Sequence, residues 1–164
     1  MADVIPWLQN RVGFNLPAAE VQSILHFALL CSLFEAKALE EDGRPPKIIE
    51  AVEQWEADGR LQLEPFQTSL DYFKDRYFPA GQESPRFAAL DVNDAHRARL
   101  ATVLSGANAN PREAVIAVLL VVNRLRNNLM HGLKWEYLLA GHGDNFYHAN
   151  MALMAALDCN RMSA

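Results

Sequence analysis

The chain has 164 residues, 51% of them hydrophobic and 21% charged, which suits one domain with a sizeable core. These proportions exclude a disordered chain. The formal net charge of -5 argues against a protein that coats nucleic acid through bulk positive charge, although it is compatible with a local basic site.

The N-terminal residues MADVIPWLQN contain no basic stretch followed by an apolar one, so we expect no secretory signal. The longest uninterrupted apolar run, residues 114–122, is much shorter than the roughly 20 residues of a membrane span. Cys31 and Cys159 lie in apolar helical patterns without metal-ligand spacing, which favours buried, reduced thiols. We therefore expect a cytoplasmic protein that does not contact a membrane.

The first predicted helix begins near Pro17, with Asn15 as its cap, and runs to a stop at Asp42-Gly43. Further apolar residues broaden its hydrophobic arc, which predicts burial on more than one side of the helix. One of its faces is formed by Val21, Leu25, Ala28, Leu29, Ser32 and Ala36.

Three shorter helices are predicted next along the chain. One spans residues 46–59, one begins at about Pro65, and one spans residues 93–104. The segment from Phe78 to Asp91 is rich in proline, glycine and small polar residues, and this composition predicts a loop.

The fifth predicted helix has the strongest start signal in the chain. Asn110 is suited to the N-cap, Pro111 to the first position, and Glu113 to the partner position of a capping box. Its first half is apolar on all sides, so it must be enclosed by other helices. A packing seam with spacings of three and four is formed by Val115, Val118, Val122, Leu125 and Leu129.

A last helix is predicted from Asp144 to about Arg161. Its core candidates are Phe146, Met151, Met154 and Leu157. No segment alternates apolar and polar residues as a half-buried strand does. We therefore predict an all-α fold, a compact helical bundle of about five to six helices that forms a single domain over residues 1–164.

The fifth helix turns polar at its end, in the sequence RLRNNLMHG at residues 124–132. Residues four apart share a helix face, so Asn123, Asn127 and His131 form one stripe, and Asn127 is placed to hold the His131 ring. Arg126 and His131 are about 140° apart on an ideal helix. They can still converge, because the arginine side chain is long and His131 lies in the last turn.

Two interpretations of this polar end remain open. Cationic groups are favoured in the last turn of any helix, and a histidine before a glycine is an ordinary ending. Against this, two Arg, three Asn and one His are costly to bring beside an apolar seam unless a ligand is bound there. A guanidinium matches phosphate oxygens, and an imidazole exchanges protons near neutral pH. This set therefore suits phosphodiester chemistry.

We expect no metal and no other cofactor, because neither the phosphate contact nor the proton transfer needs one. The set His142, Asp144 and His148 has metal-ligand residue types, but Asp144 is better explained as a helix N-cap. A further stretch of the chain is mildly basic. It is either a solvent-exposed face or a surface beside the site that contacts RNA, and it contains Arg86, His96, Arg97 and Arg99.

The segment RNNLMHG at residues 126–132 resembles the R-x-x-x-x-H motif of the HEPN superfamily, in its RNN-L-F-HG form. The helical architecture and the late position of the motif also match that family. The resemblance implies a bundle that dimerises through the motif-bearing region and a metal-independent endoribonuclease. Such enzymes cleave single-stranded RNA by 2′-hydroxyl attack and leave a 2′,3′-cyclic phosphate. Many belong to toxin-antitoxin or phage-defence systems, which makes an antitoxin or defence-system protein a further expected partner.

The resemblance also implies roles for individual residues. Arg126 is expected to stabilise the phosphate, His131 to transfer protons, and Asn127 to orient His131. The family often adds an acidic residue from an early helix, for which Glu35 is the candidate. Further substrate contacts are expected from Asn123, Arg124, Asn128 and Lys134. Some members are non-catalytic dimeric modules that bind RNA or nucleotides, and this alternative stays open.

Overall fold

The structure is a computed structural model that describes residues 3–13, 15–131 and 143–161. These residues form eight α-helices and two short 3-10 turns, and they contain no strand, so the predicted all-α class is confirmed. The helices are α1 Val4–Val12, α2 Ala18–Ala38, α3 Pro45–Ala57, α4 Gln67–Tyr77, α5 Pro85–Ala89, α6 Asp94–Leu104, α7 Pro111–Met130 and α8 Gly143–Arg161. The 3-10 turns are Glu64–Phe66 and Pro79–Gly81.

Helix α7 is the central helix of the bundle. It packs against α2, α3, α4, α6 and α8, and every residue from Ala114 to Val122 is buried. This confirms that the apolar first half of the helix is enclosed. Because the burial of apolar side chains is the main favourable term in folding, α7 holds the surrounding helices together. Its polar second half is thereby fixed at one end of the bundle.

The predicted start of α7 is confirmed at Asn110, while the predicted capping box forms only in part. The Asn110 side chain accepts a hydrogen bond from the backbone N–H of Glu113 at 3.2 Å. The Glu113 carboxylate does not return to Asn110 but binds Arg99 of α6 at 2.7 and 2.9 Å. The backbone N–H of Asn110 instead donates to the Asn108 side chain. Glu113 therefore connects α7 to α6.

Helices α2 and α8 pack side by side and run in the same direction. At the start of both helices, a Cβ atom added to Gly143 would lie 2.8 Å from Cγ of Glu20, and the rings of Phe27 and Phe146 lie 5.1 Å apart further along α2. Near their ends, the Asn160 side chain donates to the backbone carbonyl of Lys37 at 2.8 Å. The buried face of α2 is thus directed towards α8 and α7.

The opposite side of α2 is solvent-exposed. We call it the α2 outer face. All of its residues are exposed, and none carries a formal charge when histidine is neutral. They are Gln22, Leu25, His26, Leu29, Ser32 and Ala36. Leu25 is 61% and Leu29 68% exposed. Within the single chain, the predicted burial on more than one side is therefore not seen for the face that contains these two leucines, and its burial by a partner stays a prediction.

Helix α2 is also the one described helix that is long and apolar enough to cross a membrane by length and composition alone. Core helices of soluble proteins and signal sequences meet the same criterion. This property therefore assigns no location to the protein.

Several other predictions need correction. The helix count of five to six is too low, because α1 was not predicted and α5 lies in the segment predicted as a loop. Asn15 does not cap α2, whose N-cap position is Pro17 and lacks a side-chain hydrogen bond. In α8, Phe146 and Leu157 are buried as predicted, but Met151 and Met154 are exposed. These methionines lie on the side of α8 that no other described helix covers.

Candidate functional site

The centre of the candidate site is an ion pair between α2 and α7. The Nη2 atom of Arg126 lies 3.0 Å from Oε1 and 3.1 Å from Oε2 of Glu35. The Nη1 atom of the same guanidinium donates to Oδ1 of Asn127 at 3.0 Å. The side chains of Arg126 and Glu35 are 31% and 21% exposed, so the pair lies at the surface of the bundle with one side open to solvent. The structure thus brings Glu35 and Arg126 together, as the candidate site requires.

Two asparagines extend this pair along α7. The Nδ2 atom of Asn127 donates to Oδ1 of Asn123 at 3.4 Å, and Nδ2 of Asn123 donates to the backbone carbonyl of Gly43 at 2.7 Å. We call these five residues, Glu35, Gly43, Asn123, Arg126 and Asn127, the motif network. Because each side chain in it has a hydrogen-bond partner, the network fixes the direction of the guanidinium.

Gly43 has a role in the motif network that the sequence analysis did not identify. A Cβ atom added to this residue would lie 2.6 Å from Oε1 of Glu35, a distance that real Cβ atoms essentially never show. The turn before it is tight, because Glu40 and Glu41 both have left-handed backbone conformations, with φ of 52° and 64°. The glycine therefore lets the α2–α3 turn approach Glu35 while its carbonyl accepts from Asn123.

Arg124 and Asn128 belong to a different part of the surface from Arg126. The Nη2 atom of Arg124 donates to Oδ1 of Asn128 at 3.2 Å and lies 3.4 Å from Oδ2 of Asp91. Arg124 Nε and Asn128 Nδ2 both donate to the backbone carbonyl of Leu90, each at 3.3 Å. These contacts connect α7 to the end of α5. The predicted substrate residues therefore form two groups.

His131 is the C-cap residue of α7, and its side chain is exposed. Its backbone N–H donates to the carbonyl of Asn127 at 3.0 Å. Within the described part of the chain its imidazole has no hydrogen bond, and the Asn127 side chain binds Arg126 and Asn123 instead of the His131 ring. The predicted contact between these two side chains is therefore not formed here. Lys134 lies outside the described residues.

A small, partly open pocket lies beside the motif network. Its volume is about 20 Å³, room for about one water molecule, and its polar lining comes from Glu35, Asn123 and Arg126. Cys31 also lines it, and burial, followed by the charge of Glu35, raises the pKa of this thiol to about 12. Cys31 is therefore protonated and unreactive.

The described residues contain no group of three His, Cys, Asp or Glu side chains that could hold a metal ion. Of the three residues considered for a metal site, His142 lies outside the described residues. His148 stacks on the ring of Tyr72 at 4.1 Å, where burial lowers the pKa of the imidazole. Asp144 lies in the first turn of α8, where the helix dipole favours an acidic side chain.

Comparison with protein families, with curated proteins and with solved structures found no match to this chain. The side chains of the site themselves indicate what it can do chemically. They supply a guanidinium in fixed orientation, a carboxylate beside it, and an exposed imidazole at the end of the same helix.

Proposed function

We propose that the protein is a metal-independent endoribonuclease of the HEPN type that cleaves single-stranded RNA. The observation that carries this proposal is the guanidinium of Arg126, oriented by Glu35 and Asn127, one and a half helical turns before the exposed imidazole of His131. These two residues are about 7.5 Å apart along the helix axis. They are also about 140° apart around the helix, so the proposal requires the exposed His131 ring to turn towards a phosphate held at the open side of the Glu35–Arg126 pair.

The proposed reaction forms a bond between the 2′-oxygen of a ribose and the adjacent phosphorus, and it breaks the bond from phosphorus to the 5′-oxygen of the next nucleotide. Arg126 donates to the non-bridging phosphate oxygens, whose negative charge increases in the transition state. His131 exchanges protons with the 2′-hydroxyl and the leaving 5′-oxygen. The products carry a 2′,3′-cyclic phosphate and a 5′-hydroxyl.

A second candidate function is a non-catalytic dimeric module that binds RNA or a nucleotide, or that binds an antitoxin or defence-system protein. The ion pair favours this alternative, because both terminal nitrogens of Arg126 already have partners within the chain. A phosphate must then compete with Glu35 for the guanidinium. The net charge of -5 is also unusual for a protein dedicated to RNA cleavage.

The two functions are separated by incubating the full chain with single-stranded RNA in EDTA. We expect cleavage products with 2′,3′-cyclic phosphate ends, and no cleavage of the same oligonucleotide with 2′-deoxy sugars, since the nucleophile is then missing. Binding of the RNA without turnover would favour the module. If neither RNA nor mononucleotides bind, both functions are excluded.

We also propose that the protein is a homodimer in which the α2 outer face contacts a second copy. The apolar half of α7 is covered within its own chain and offers no surface to a partner. The α2 outer face keeps Leu25 and Leu29 exposed, and its residue Ala36 is the neighbour of Glu35. An interface there is therefore adjacent to the motif network.

Light scattering is expected to give twice the chain mass of 18.4 kDa at micromolar concentration. Leu29→Glu should convert the protein to a monomer, because it places a charge in the apolar contact. Thr68→Glu is the matched control, since it adds the same charge at an exposed position of α4. A monomeric wild-type protein, or equal masses for both variants, would contradict the proposed interface.

A further inference from the structure

A second pocket, with a volume of about 120 Å³, lies beside α7 and next to the motif network. The first residue of α3, Pro45, forms one wall, and the N-terminal turn of α6 with His96 forms another. Asn123 and Asn127 line this pocket and also belong to the motif network. We call it the His96 pocket. It is thus adjacent to Arg126, through their shared neighbour Asn127.

The floor of the His96 pocket is apolar and its rim carries hydrogen-bond donors. Pro45, Val92 and Leu120 supply the apolar surface. The imidazole of His96 makes no hydrogen bond to any described residue, and Nη1 of Arg124 makes none either, so both are free to bind a ligand.

Asparagine side chains add two more donors to this rim. The Oδ1 atom of Asn93 accepts from the backbone N–H of His96 at 3.3 Å, which leaves its NH₂ group free. Asn127 uses one N–H of its amide towards Asn123, and its second N–H is available. The pocket is therefore suited to a ligand that presents acceptor atoms at its edge.

A phosphate group does not match these features well. The charge of Arg124 already faces the Asp91 carboxylate at 3.4 Å, and no other permanently charged side chain is among the described residues that line the pocket. An apolar floor also gains nothing from a phosphate. A planar, neutral heterocycle uses both the floor and the donors.

We infer that the His96 pocket binds one nucleobase of the RNA strand, stacked on His96, and that it prefers uracil and guanine, which carry an oxo group (O4 or O6) where cytosine and adenine carry an amino group. Histidine is among the side chains on which bases of single-stranded RNA stack. The O4 and O2 atoms of uracil, or O6 and N7 of guanine, accept from the free donors of Arg124, Asn93 and Asn127. This inference rests on the proposed function, because the strand that presents the base is the one whose phosphate lies at Arg126.

Nucleosides test the pocket without requiring RNA cleavage. In imidazole ¹H–¹⁵N spectra of the full chain, uridine and guanosine are expected to shift the His96 signal, which is assigned by its loss in His96→Ala. The His26 signal on the α2 outer face should not move. We expect dissociation constants on the order of 1 mM, weakened about tenfold in His96→Ala, while Thr68→Ala, at an exposed position of α4, binds as the wild type does.

The inference is overturned if millimolar nucleosides leave the His96 signal in place, if inorganic phosphate shifts it equally, or if His96→Ala binds as tightly as the wild type. Stronger shifts by adenosine and cytidine would overturn the stated base preference. Nucleoside binding without RNA cleavage would contradict the nuclease alone, and cleavage without nucleoside binding would contradict the pocket alone.

Discussion

Replacement of His131 by asparagine is expected to lower the rate of RNA cleavage by about 10²- to 10⁴-fold, the usual contribution of a positioned general acid or base. The imidazole is exposed at the C-cap of α7 and has no hydrogen bond within the described part of the chain. Its proposed role is therefore chemical, and asparagine cannot exchange a proton near neutral pH. The initial rate of cleavage of a labelled single-stranded RNA in EDTA measures the effect.

The exposure of His131 also makes this variant easy to interpret. Exposed positions usually tolerate substitution within about 0.5 kcal/mol, and asparagine is well accepted at helix ends. Urea unfolding of His131→Asn should therefore match that of the wild type. Thr68→Asn is the control, because it places asparagine at an exposed position of α4, outside both the motif network and the α2 outer face. Equal cleavage rates for the wild type and His131→Asn would contradict the proposed mechanism.

The parts of the fold that could be predicted are those with local signals. The start of α7 follows from Asn110 and Pro111, which are adjacent and sterically suited to a helix N-terminus. The enclosure of residues 114–122 follows from their composition, since so long an apolar run cannot face water on any side. The all-α class follows in the same way from helical spacing repeated along the chain.

Which apolar face is covered could not be predicted, because this depends on helices distant in sequence. Leu25 and Phe27 are similar in hydrophobicity and lie two residues apart, yet Phe27 packs on Phe146 of α8 and Leu25 is exposed. Helix α5 escaped prediction for a related reason. It has only five residues, too few for a periodic pattern, and it includes Phe87, whose side chain is fully buried among other aromatic rings.

The sequence predicted which residues belong to the candidate site, but not which side chains contact one another there. Spacing along α7 places Asn123 and Asn127 on one stripe, and their side chains do meet. Spacing along one helix cannot reveal that Asn127 binds Arg126 in preference to the His131 ring. Nor can it reveal the partner of Arg126, since Glu35 is 91 positions away in the sequence. The need for Gly43 becomes apparent only once the Glu35 carboxylate is known to lie against it.

The ion pair between Glu35 and Arg126 gives the second large expected effect. Arg126→Ala should lower kcat/KM for RNA cleavage by about 10²- to 10³-fold, because a preorganised donor to the charged transition state is lost. Arg112→Ala is the matched control on the same helix, since the surface pair of Arg112 with Glu56 lies at the opposite end of α7. Its cleavage rate should equal that of the wild type.

Glu35 is expected to act through Arg126, as a positioning residue, and a double-mutant cycle tests this. Glu35→Ala should lower the cleavage rate less than Arg126→Ala does, because the guanidinium remains but loses its fixed orientation. If Glu35 only orients Arg126, the double variant should cleave no more slowly than Arg126→Ala alone, since nothing is left to orient. A further loss in the double variant would mean that the Glu35 carboxylate itself exchanges protons with RNA.

Stability measurements on the same four proteins separate orientation from simple destabilisation. The pair is partly exposed, so each single variant should lose no more than about 1 kcal/mol of unfolding free energy. In Arg126→Ala, the half-buried Glu35 carboxylate has lost its partner, which destabilises the fold. Adding Glu35→Ala removes this unpaired charge, so the double variant should be at least as stable as Arg126→Ala. A rate that falls with Glu35→Ala while unfolding is unchanged therefore reports the lost orientation of the guanidinium. If the cleavage rate instead falls in proportion to the unfolding free energy across all four proteins, the ion pair is only a structural contact between α2 and α7.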